Sequence, residues 1–324
     1  MRRAAVILVL LPALGTPAAA RAQAPVAPAA LPAPAQTQMA VKLERVGGPR
    51  ATVLTGTRVR VRGTTGLFVP GETVTVRFFI AGRKRAARRV ALQPRADGTG
   101  GILLSYRPRR PGTLRVRVTH EATPALAAFA AAAPAVDVIP RRVLPASGRA
   151  SIRALQRRLR RLGYVTGSPG RFDARTARAV LAFRKVTGMA RTTSASVGVM
   201  RAMARGRGRF KVRFPGHGRH IEADLSRQVI ALIERGRVRR IYPVSSGAPA
   251  TPTVRGSFRV YSKTPGKNAV GMVHSAYFIG GYALHGYPSV PVYPASHGCL
   301  RVPIPDALSL FRWIEIGTRV DVYR

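Results

Sequence analysis

Residues 284–302 read LHGYPSVPVYPASHGCLRV and contain the single cysteine of the chain, Cys299, with two of its six histidines, His285 and His297. A cysteine thiol is an effective nucleophile when a nearby base or cation keeps it deprotonated near neutral pH. A glycine beside the thiol, here Gly298, leaves room for a substrate carbonyl and for the backbone N–H groups that stabilise an oxyanion. The stretch therefore indicates a site in which a thiol attacks a carbonyl with help from histidine.

Two other interpretations of this stretch are open on the residues alone. An isolated cysteine often serves as a small buried hydrophobic residue with no chemistry of its own. His285, His297 and Cys299 can also provide three zinc ligands, although no carboxylate lies near them in sequence to orient the imidazoles. In an extended segment, the side chains of His297 and Cys299 share one face because they lie two residues apart.

A resemblance to a known family favours the nucleophile. The string Ser296-His297-Gly298-Cys299-Leu300-Arg301, with His285-Gly286 upstream, resembles the signature of the YkuD-type L,D-transpeptidase family. The similarity covers residues 217–324 and includes Gly256-Ser257-Phe258. It implies that residues 217–324 form the mixed, β-rich catalytic domain of that family.

The same resemblance implies a reaction. Cys299 is expected to attack a peptidoglycan tetrapeptide stem at the carbonyl before its terminal D-amino acid, and then to transfer the acyl group to an amine of a second stem. His285 is the expected general base, and His297 is expected to support the thiolate or to shape the oxyanion site. His274, followed by Ser275, is a competing base. No cofactor and no metal are implied.

Three further motif residues are expected at the oxyanion and substrate-binding site. The hydroxyl of Ser296 is expected to bond an imidazole, and Gly298 to leave room for the oxyanion. Arg301 is expected to bind a stem carboxylate, which suits a forked guanidinium. Two competing functions remain: hydrolysis with water as acceptor, which would make the protein an L,D-carboxypeptidase, and wall binding without catalysis.

Residues 147–205 have a helical period. Ile152, Leu155 and Leu159 recur at spacings of three and four, with arginines outside this stripe. Asp173 is predicted to cap a second helix. The segment resembles the small three-helix peptidoglycan-binding domain of bacterial wall enzymes, which implies binding to wall glycan.

Residues 41–140 are predicted to form a β-sandwich of immunoglobulin-like type, so that the whole chain is multidomain and mainly β. Apolar and polar residues alternate strictly in residues 57–62, 73–78 and 113–118, which is typical of half-buried strands. Arginine occupies the expected solvent face of these strands. Nothing in this domain indicates chemistry.

The remaining segments are predicted to be a leader and two linkers. Residues 1–24 have a basic start, a short apolar run and an A-x-A pattern, as in a signal peptide, with an uncleaved anchor as the alternative. We therefore expect an exported protein of the cell wall or periplasm. Residues 25–40 are Ala/Pro-rich and expected to be disordered, and residues 206–216 form a Gly/Arg-rich linker with little reason to be buried.

The charge of the chain is extreme. Its 324 residues include 55 Lys+Arg against 12 Asp+Glu, for a formal net charge of +43. Such an excess normally indicates nucleic-acid binding. Nearly all the cations are arginine, however, and Ala, Gly, Pro and Val are also abundant, as a GC-rich genome produces. We therefore expect no nucleic-acid partner, and charge that is spread over solvated strand and helix faces.

Overall fold

A computed structural model describes residues 33–46 and 51–324 of the chain. The predicted signal peptide and the first part of the predicted linker, residues 25–32, lie outside the described residues. The described part is mainly β, with nineteen strands and four helices. None of those four helices has the length and apolar character needed to cross a membrane.

The N-terminal unit consists of two sheets around one core. One sheet has the strand order β1-β3-β7-β6, and the other has the order β2-β10-β8-β4-β5, with β9 paired to β8. The strands are β1 (Met39–Glu44), β2 (Thr52–Leu54), β3 (Val59–Thr65), β4 (Thr73–Ile80), β5 (Arg83–Ala91), β6 (Gln93–Pro94), β7 (Gly100–Tyr106), β8 (Gly112–His120), β9 (Phe129–Ala132) and β10 (Val136–Ile139).

Alternation along the strands explains the two layers. On β4, Val74, Val76 and Phe78 are buried, whereas Arg77 between them is partly exposed. Because successive side chains point to opposite faces, one face of each strand joins the core and the arginines stay near the surface. The predicted β structure of residues 41–140 is confirmed, while its immunoglobulin-like type stays a prediction.

The N-terminal unit begins before the predicted boundary at residue 41. Strand β1 starts at Met39, whose side chain is buried in the core. The Ala35 N–H donates to the carbonyl of Ala125 at 3.0 Å, and the Ala35 carbonyl accepts from the Ala127 N–H at 2.9 Å. The last part of the predicted linker is therefore ordered, because apolar side chains within it have a core to join.

Three helices follow. The buried stripe of the first contains Ile152, Leu155 and Leu159, as predicted. Asp173 caps the second helix, also as predicted, since its Oδ1 accepts from the Thr176 N–H at 2.8 Å. The helices are α1 (Arg149–Arg161), α2 (Ala174–Val186) and α3 (Val197–Ala204). We refer to residues 147–205 as the helical module.

The C-terminal unit contains two further sheets and one helix. One is a five-stranded sheet of order β13-β12-β11-β19-β14, and the other has the order β15-β16-β17-β18. The elements are β11 (His220–Asp224), β12 (Val229–Glu234), β13 (Arg237–Pro243), β14 (Gly256–Arg259), β15 (Ser262–Lys267), β16 (Val273–Ile279), β17 (Tyr282–Tyr287), β18 (Leu300–Pro303), α4 (Ile304–Trp313) and β19 (Arg319–Tyr323).

Strand β12 contributes side chains to the cores of both the helical module and the C-terminal unit. Ile230 and Leu232 belong to the core of the C-terminal unit, whereas Val229, Ala231 and Ile233 belong to the core around the helices. Successive strand residues point to opposite faces, so β12 is buried on both of them. Two units with distinct sequence patterns therefore pack as one body.

Residues 206–216, predicted as a solvated linker, are packed against this body. Phe210 is buried and belongs to the core around the helices. The Tyr164 hydroxyl donates to the Gly208 carbonyl at 2.7 Å, and the Arg213 N–H donates to Glu222 Oε1 at 2.8 Å. The prediction was wrong because it weighed the Gly/Arg composition and overlooked the apolar ring of Phe210.

An ion-pair cluster also joins the helical module to the C-terminal unit. Asp306 of α4 is buried, and its carboxylate accepts from Arg175 Nε at 2.7 Å and from Arg178 Nε at 3.1 Å. We expect Asp306→Asn to lower the free energy of unfolding by about 1–3 kcal/mol, because both guanidinium groups lose a charged acceptor. Urea unfolding of the full chain measures this loss.

The matched control is Glu315→Gln, which breaks an exposed ion pair with Arg219. Water screens that pair, so its loss should change the free energy of unfolding by less than about 1 kcal/mol. Equal losses in the two variants would contradict a special role for the buried cluster.

Candidate active site

The candidate site lies on two neighbouring parallel strands. In the ladder between β17 and β18, His285 is directly opposite Arg301. Cys299 immediately precedes β18, and the Ala283 N–H on β17 donates to its Sγ at 3.4 Å. Because side chains alternate along a strand, Cys299, Arg301 and His285 share one face, on strands about 4.8 Å apart. The structure thus places the predicted thiol and imidazole on the same face of two neighbouring strands.

Helix α4 supports the opposite face of these strands. A Cβ atom added to Gly286 would lie 2.6 Å from the Cβ of Ala307 on α4, so only glycine fits at this position. His285, one residue earlier, points away from α4. The helix therefore sets the position of the strand behind the site.

Two backbone groups beside β17 hold the half-buried thiol. Besides the Ala283 N–H, the carbonyl of Gly281 accepts from the Cys299 thiol, with an S···O distance of 3.7 Å. Burial raises the pKa of Cys299, while the Ala283 N–H and the charge of Arg301 act in the opposite direction. The resting sulfur is therefore a neutral thiol at neutral pH.

His285 is arranged as a base. Its side chain is buried, and its Nδ1 lies 3.0 Å from the carbonyl of Gly286, which can only accept. Nδ1 therefore carries the proton, and Nε2 of the neutral ring is left to accept one. Burial lowers the pKa of His285, as does the charge of Arg301, while the bond to Gly286 opposes them. A neutral imidazole beside a neutral thiol is the starting state of general-base catalysis.

Ser296 ties the motif loop to itself and bonds no imidazole, which corrects the expectation above. Its Oγ donates to the carbonyl of Cys299 at 2.6 Å and accepts from the Gly298 N–H at 3.1 Å. The Ser296 side chain therefore fixes the backbone on both sides of Gly298. The same bond occupies the Gly298 N–H, which is thus not available to an oxyanion in this conformation.

Removing that hydroxyl has a predicted effect. We expect Ser296→Ala to cost about 1–3 kcal/mol of stability, because the buried Gly298 N–H and the half-buried Cys299 carbonyl lose their partner. The acylation rate should fall as well, since the Cys299 backbone is no longer held. Thermal unfolding and the rate of acyl-enzyme formation measure the two effects. Ser289→Ala, at an exposed position of the same loop, is the control; a change of the same size there would contradict the assignment.

Gly298 is required by backbone conformation and by close packing. Its φ is +109°, in the region that favours glycine. A Cβ atom there would lie 1.8 Å from the ring of Tyr282. Its carbonyl accepts from Thr253 Oγ1 at 2.7 Å. Gly298 thus lets the loop pass closely over β17, and a direct role in substrate binding stays a prediction.

Arg301 lies between the imidazole and the loop. Its guanidinium is stacked on the Tyr287 ring at 4.2 Å, and its Nη1 donates to the Ala295 carbonyl at 3.2 Å. Nε is buried and has no hydrogen-bond partner in the described part of the chain. Part of the fork is therefore engaged by the protein itself, and its binding of a stem carboxylate stays a prediction.

His297 does not share a face with Cys299 in the way an extended segment would require. The left-handed conformation of Gly298 turns the chain between them, and the His297 side chain is exposed while His285 is buried. The three side chains proposed as zinc ligands therefore do not converge, and no group of three His, Cys, Asp or Glu residues arranged to hold a metal occurs among the described residues.

His274 lies on the α4 side of the sheet, which argues against it as the base. Its ring is 5.3 Å from the ring of Phe311 on α4, and its Nδ1 accepts from the Gly266 N–H at 3.1 Å. His285 points to the other side of that sheet. The buried His285 is therefore the base that this arrangement favours over His274, and the choice between His285 and the exposed His297 stays a prediction.

Sequence reasoning missed the residues that anchor the motif loop. Ser245 exchanges two backbone hydrogen bonds with Arg301, both of 3.0 Å, and the Ser246 carbonyl accepts from the Ser296 N–H at 2.9 Å. Gln228 in turn donates to Ser246 Oγ at 2.7 Å and accepts from the Ser246 N–H at 3.0 Å. The only signal was the string Val244-Ser245-Ser246-Gly247, which gives no hint of these partners without the fold.

Two family models match the chain. Residues 218–322 match the L,D-transpeptidase catalytic domain YkuD. Residues 148–203 match a family described as "Putative peptidoglycan binding domain". The two matches coincide with the C-terminal unit and with the helical module.

Known proteins also resemble part of the chain. "Putative L,D-transpeptidase YkuD" of Bacillus licheniformis is 32% identical over 108 residues, which is 32% of this chain and 64% of that protein. An L,D-transpeptidase structure (residues 123–326) from Xylanimonas cellulosilytica has 33% identity and a TM-score of 0.51, covering 57% of this chain and 98% of that one. The catalytic domain of the E. faecium L,D-transpeptidase has 28% identity and a TM-score of 0.29, covering 33% and 98%.

Proposed function

The chain belongs to the YkuD family of L,D-transpeptidases, and on this basis we propose that it is a cysteine-dependent enzyme that cross-links peptidoglycan stem peptides. The observation that carries the proposal is the placement of Cys299 and a buried, neutral His285 on one face of β17 and β18. A thiol and a base in this relation are what acyl transfer requires.

In the first half-reaction, the sulfur of Cys299 attacks the carbonyl carbon before the terminal D-amino acid of a tetrapeptide stem. Nε2 of His285 takes the thiol proton as the C–S bond forms. The tetrahedral intermediate then breaks its C–N bond, and His285 returns the proton to the leaving amine. The products are a thioester on Cys299 and a free D-amino acid.

In the second half-reaction, an amine of another stem attacks the thioester carbonyl. Nε2 of His285 takes a proton from the attacking nitrogen, the C–S bond breaks, and the sulfur of Cys299 receives that proton. The new amide bond cross-links the two stems. The charge of Arg301 favours the thiolate as it leaves, and the guanidinium donors not engaged by the loop bind a stem carboxylate.

The place of action is part of the same proposal. The leader pattern of residues 1–24 supports export to the wall or periplasm. The match of residues 148–203 to a peptidoglycan-binding family supports contact with wall glycan. The substrate and the binding partner are then one polymer, and no nucleic-acid partner is proposed.

The test is incubation of the purified full chain with disaccharide-tetrapeptide muropeptides, followed by mass spectrometry. We expect cross-linked dimers and one free D-amino acid for each link. If tripeptide stems form without dimers, water is the acyl acceptor and the protein is an L,D-carboxypeptidase. Unchanged muropeptides, with Cys299 still reactive toward iodoacetamide, would overturn both and favour wall binding without catalysis.

A further inference from the structure

A second concave site lies between the helical module and the C-terminal unit. It has a volume of about 710 Å³, and its lining does not include Cys299. This size falls in the range of small-ligand sites. No carboxylate lines it within the described part of the chain, whereas five basic side chains do: Lys185, Arg191, Arg207, Arg209 and Arg227. We call this site the junction cavity.

The arginines of the junction cavity are only partly neutralised. Arg227 pairs with Asp224 at 2.6 Å. Arg207 and Arg209 are exposed, and their side chains have no hydrogen bond or ion pair within the residues that the structure describes. Two guanidinium groups on the same short segment therefore face the cavity with all their donors available.

Arg191 donates two of its five N–H groups to backbone carbonyls, which leaves three for a ligand. Its Nη1 donates to the Val292 carbonyl and its Nη2 to the Ser226 carbonyl, each at 2.9 Å. Carbonyls are neutral acceptors, so the positive charge stays uncompensated. Val292 belongs to the loop that leads to Cys299, so this wall of the junction cavity is in direct contact with the active-site loop.

Lys185 places a buried amine beside these arginines. Its side chain is buried, and its Nζ donates to the carbonyls of Gln228 at 3.1 Å and Val244 at 2.9 Å. Burial, together with the neighbouring charge of Arg191, lowers the pKa of Lys185 to about 7. Cations held close together by the fold repel one another, and an anion placed among them relieves that repulsion.

We propose that the junction cavity is an anion-binding site for a carboxylate or phosphate group of a wall polymer, with Arg191, Arg207 and Arg209 as its donors. The forked guanidinium group suits both anions, because each presents two oxygens in the matching geometry. The choice of wall polymers rests on the proposed function, whereas the binding of an anion does not.

Calorimetric titration of the full chain carrying Cys299→Ala tests the proposal. The variant lacks the proposed nucleophile, so the heat measured is that of binding and not of a reaction. The result therefore tests anion binding whether or not the proposed catalysis is correct. The probes are a glycerol-phosphate oligomer, a disaccharide-tetrapeptide muropeptide and neutral chitotetraose. We expect one or both anionic probes to bind, which identifies phosphate or carboxylate as the group, and chitotetraose to bind at least about tenfold more weakly.

Two sets of added substitutions locate the site. Arg207→Gln with Arg209→Gln should weaken binding of the anionic probe at least about tenfold. The matched control, Arg201→Gln with Arg205→Gln, removes the same charge from exposed positions on and just after α3 and should change binding less than about twofold. Arg207 and Arg209 also line a neighbouring cavity of about 540 Å³. Arg191 lines the junction cavity but not this neighbouring cavity.

Arg191→Gln therefore decides between the two cavities and should weaken binding as much as the double substitution. Three results would overturn the proposal: absence of binding by both anionic probes, equal weakening by the control pair, or unchanged binding in Arg191→Gln. Chitotetraose binding that Arg191→Gln weakens as much as it weakens anion binding would overturn it as well, since recognition in the junction cavity would then not depend on charge.

Discussion

Replacing Cys299 with alanine is expected to abolish acyl-enzyme formation, with a loss of kcat/KM on the order of 10⁴-fold or more. Among the described residues, no second nucleophile lies on the strand face that carries His285. No other side chain can therefore attack the substrate carbonyl in place of the Cys299 sulfur. Intact-mass measurement after incubation with a tetrapeptide muropeptide should show an acyl adduct on the unmodified chain and none on the variant. An adduct that persists in Cys299→Ala would remove Cys299 as the nucleophile.

A control for folding accompanies this prediction. Cys299 is only half-buried, and its sulfur contacts the backbone of Gly281 and Ala283 through two long hydrogen bonds. We therefore expect the melting temperatures of Cys299→Ala and Cys299→Ser to stay close to that of the unmodified chain. A loss of activity that follows a loss of fold would contradict the catalytic explanation.

Replacing His285 with glutamine is expected to lower kcat/KM by about 10²–10⁴-fold, the usual contribution of a general base. Glutamine fills much of the same space but cannot take the thiol proton. The matched control is His297→Gln, which changes an exposed side chain two residues from the thiol and should leave kcat/KM nearly unchanged. The opposite ranking of the two variants would assign the base to His297.

The pH profile gives an independent check on His285. Its pKa is lowered from the ordinary value of 6.5, so the ring should stay neutral as the pH falls through 6.5. The acid limb of kcat/KM is therefore expected below pH 6.5.

Because burial raises the pKa of Cys299, its direct alkylation by iodoacetamide should titrate above the ordinary thiol value of 9.0. A thiol that is alkylated fully at neutral pH would indicate a preformed thiolate instead.

Much of the fold follows from local patterns. Alternation predicts β4, and the spacing of Ile152, Leu155 and Leu159 predicts α1 with its buried face. What these patterns do not contain is the packing of one unit on another. The apolar run of β12 is compatible with any doubly buried strand, and only the fold shows which side belongs to the helical module.

The candidate site was predictable in composition but only partly in geometry. Cys299 and His285 are indicated by the motif, since both residue types are rare in the chain and occur close together. The bond expected between Ser296 and an imidazole was wrong because Gly298 adopts a left-handed conformation that the sequence permits but does not require, whereas the role expected of His297 stays a prediction. That turn points His297 to solvent and places the Ser296 hydroxyl against the backbone.

The double burial of β12 has a consequence for how the chain can be divided. A fragment that starts at residue 217 would expose Val229, Ala231 and Ile233 to water, and an exposed apolar strand invites aggregation. The helical module and the C-terminal unit should therefore melt in a single cooperative transition. The smallest fragment that folds and stays in solution should start near residue 147. The two segments that match separate families would then fold as one thermodynamic domain.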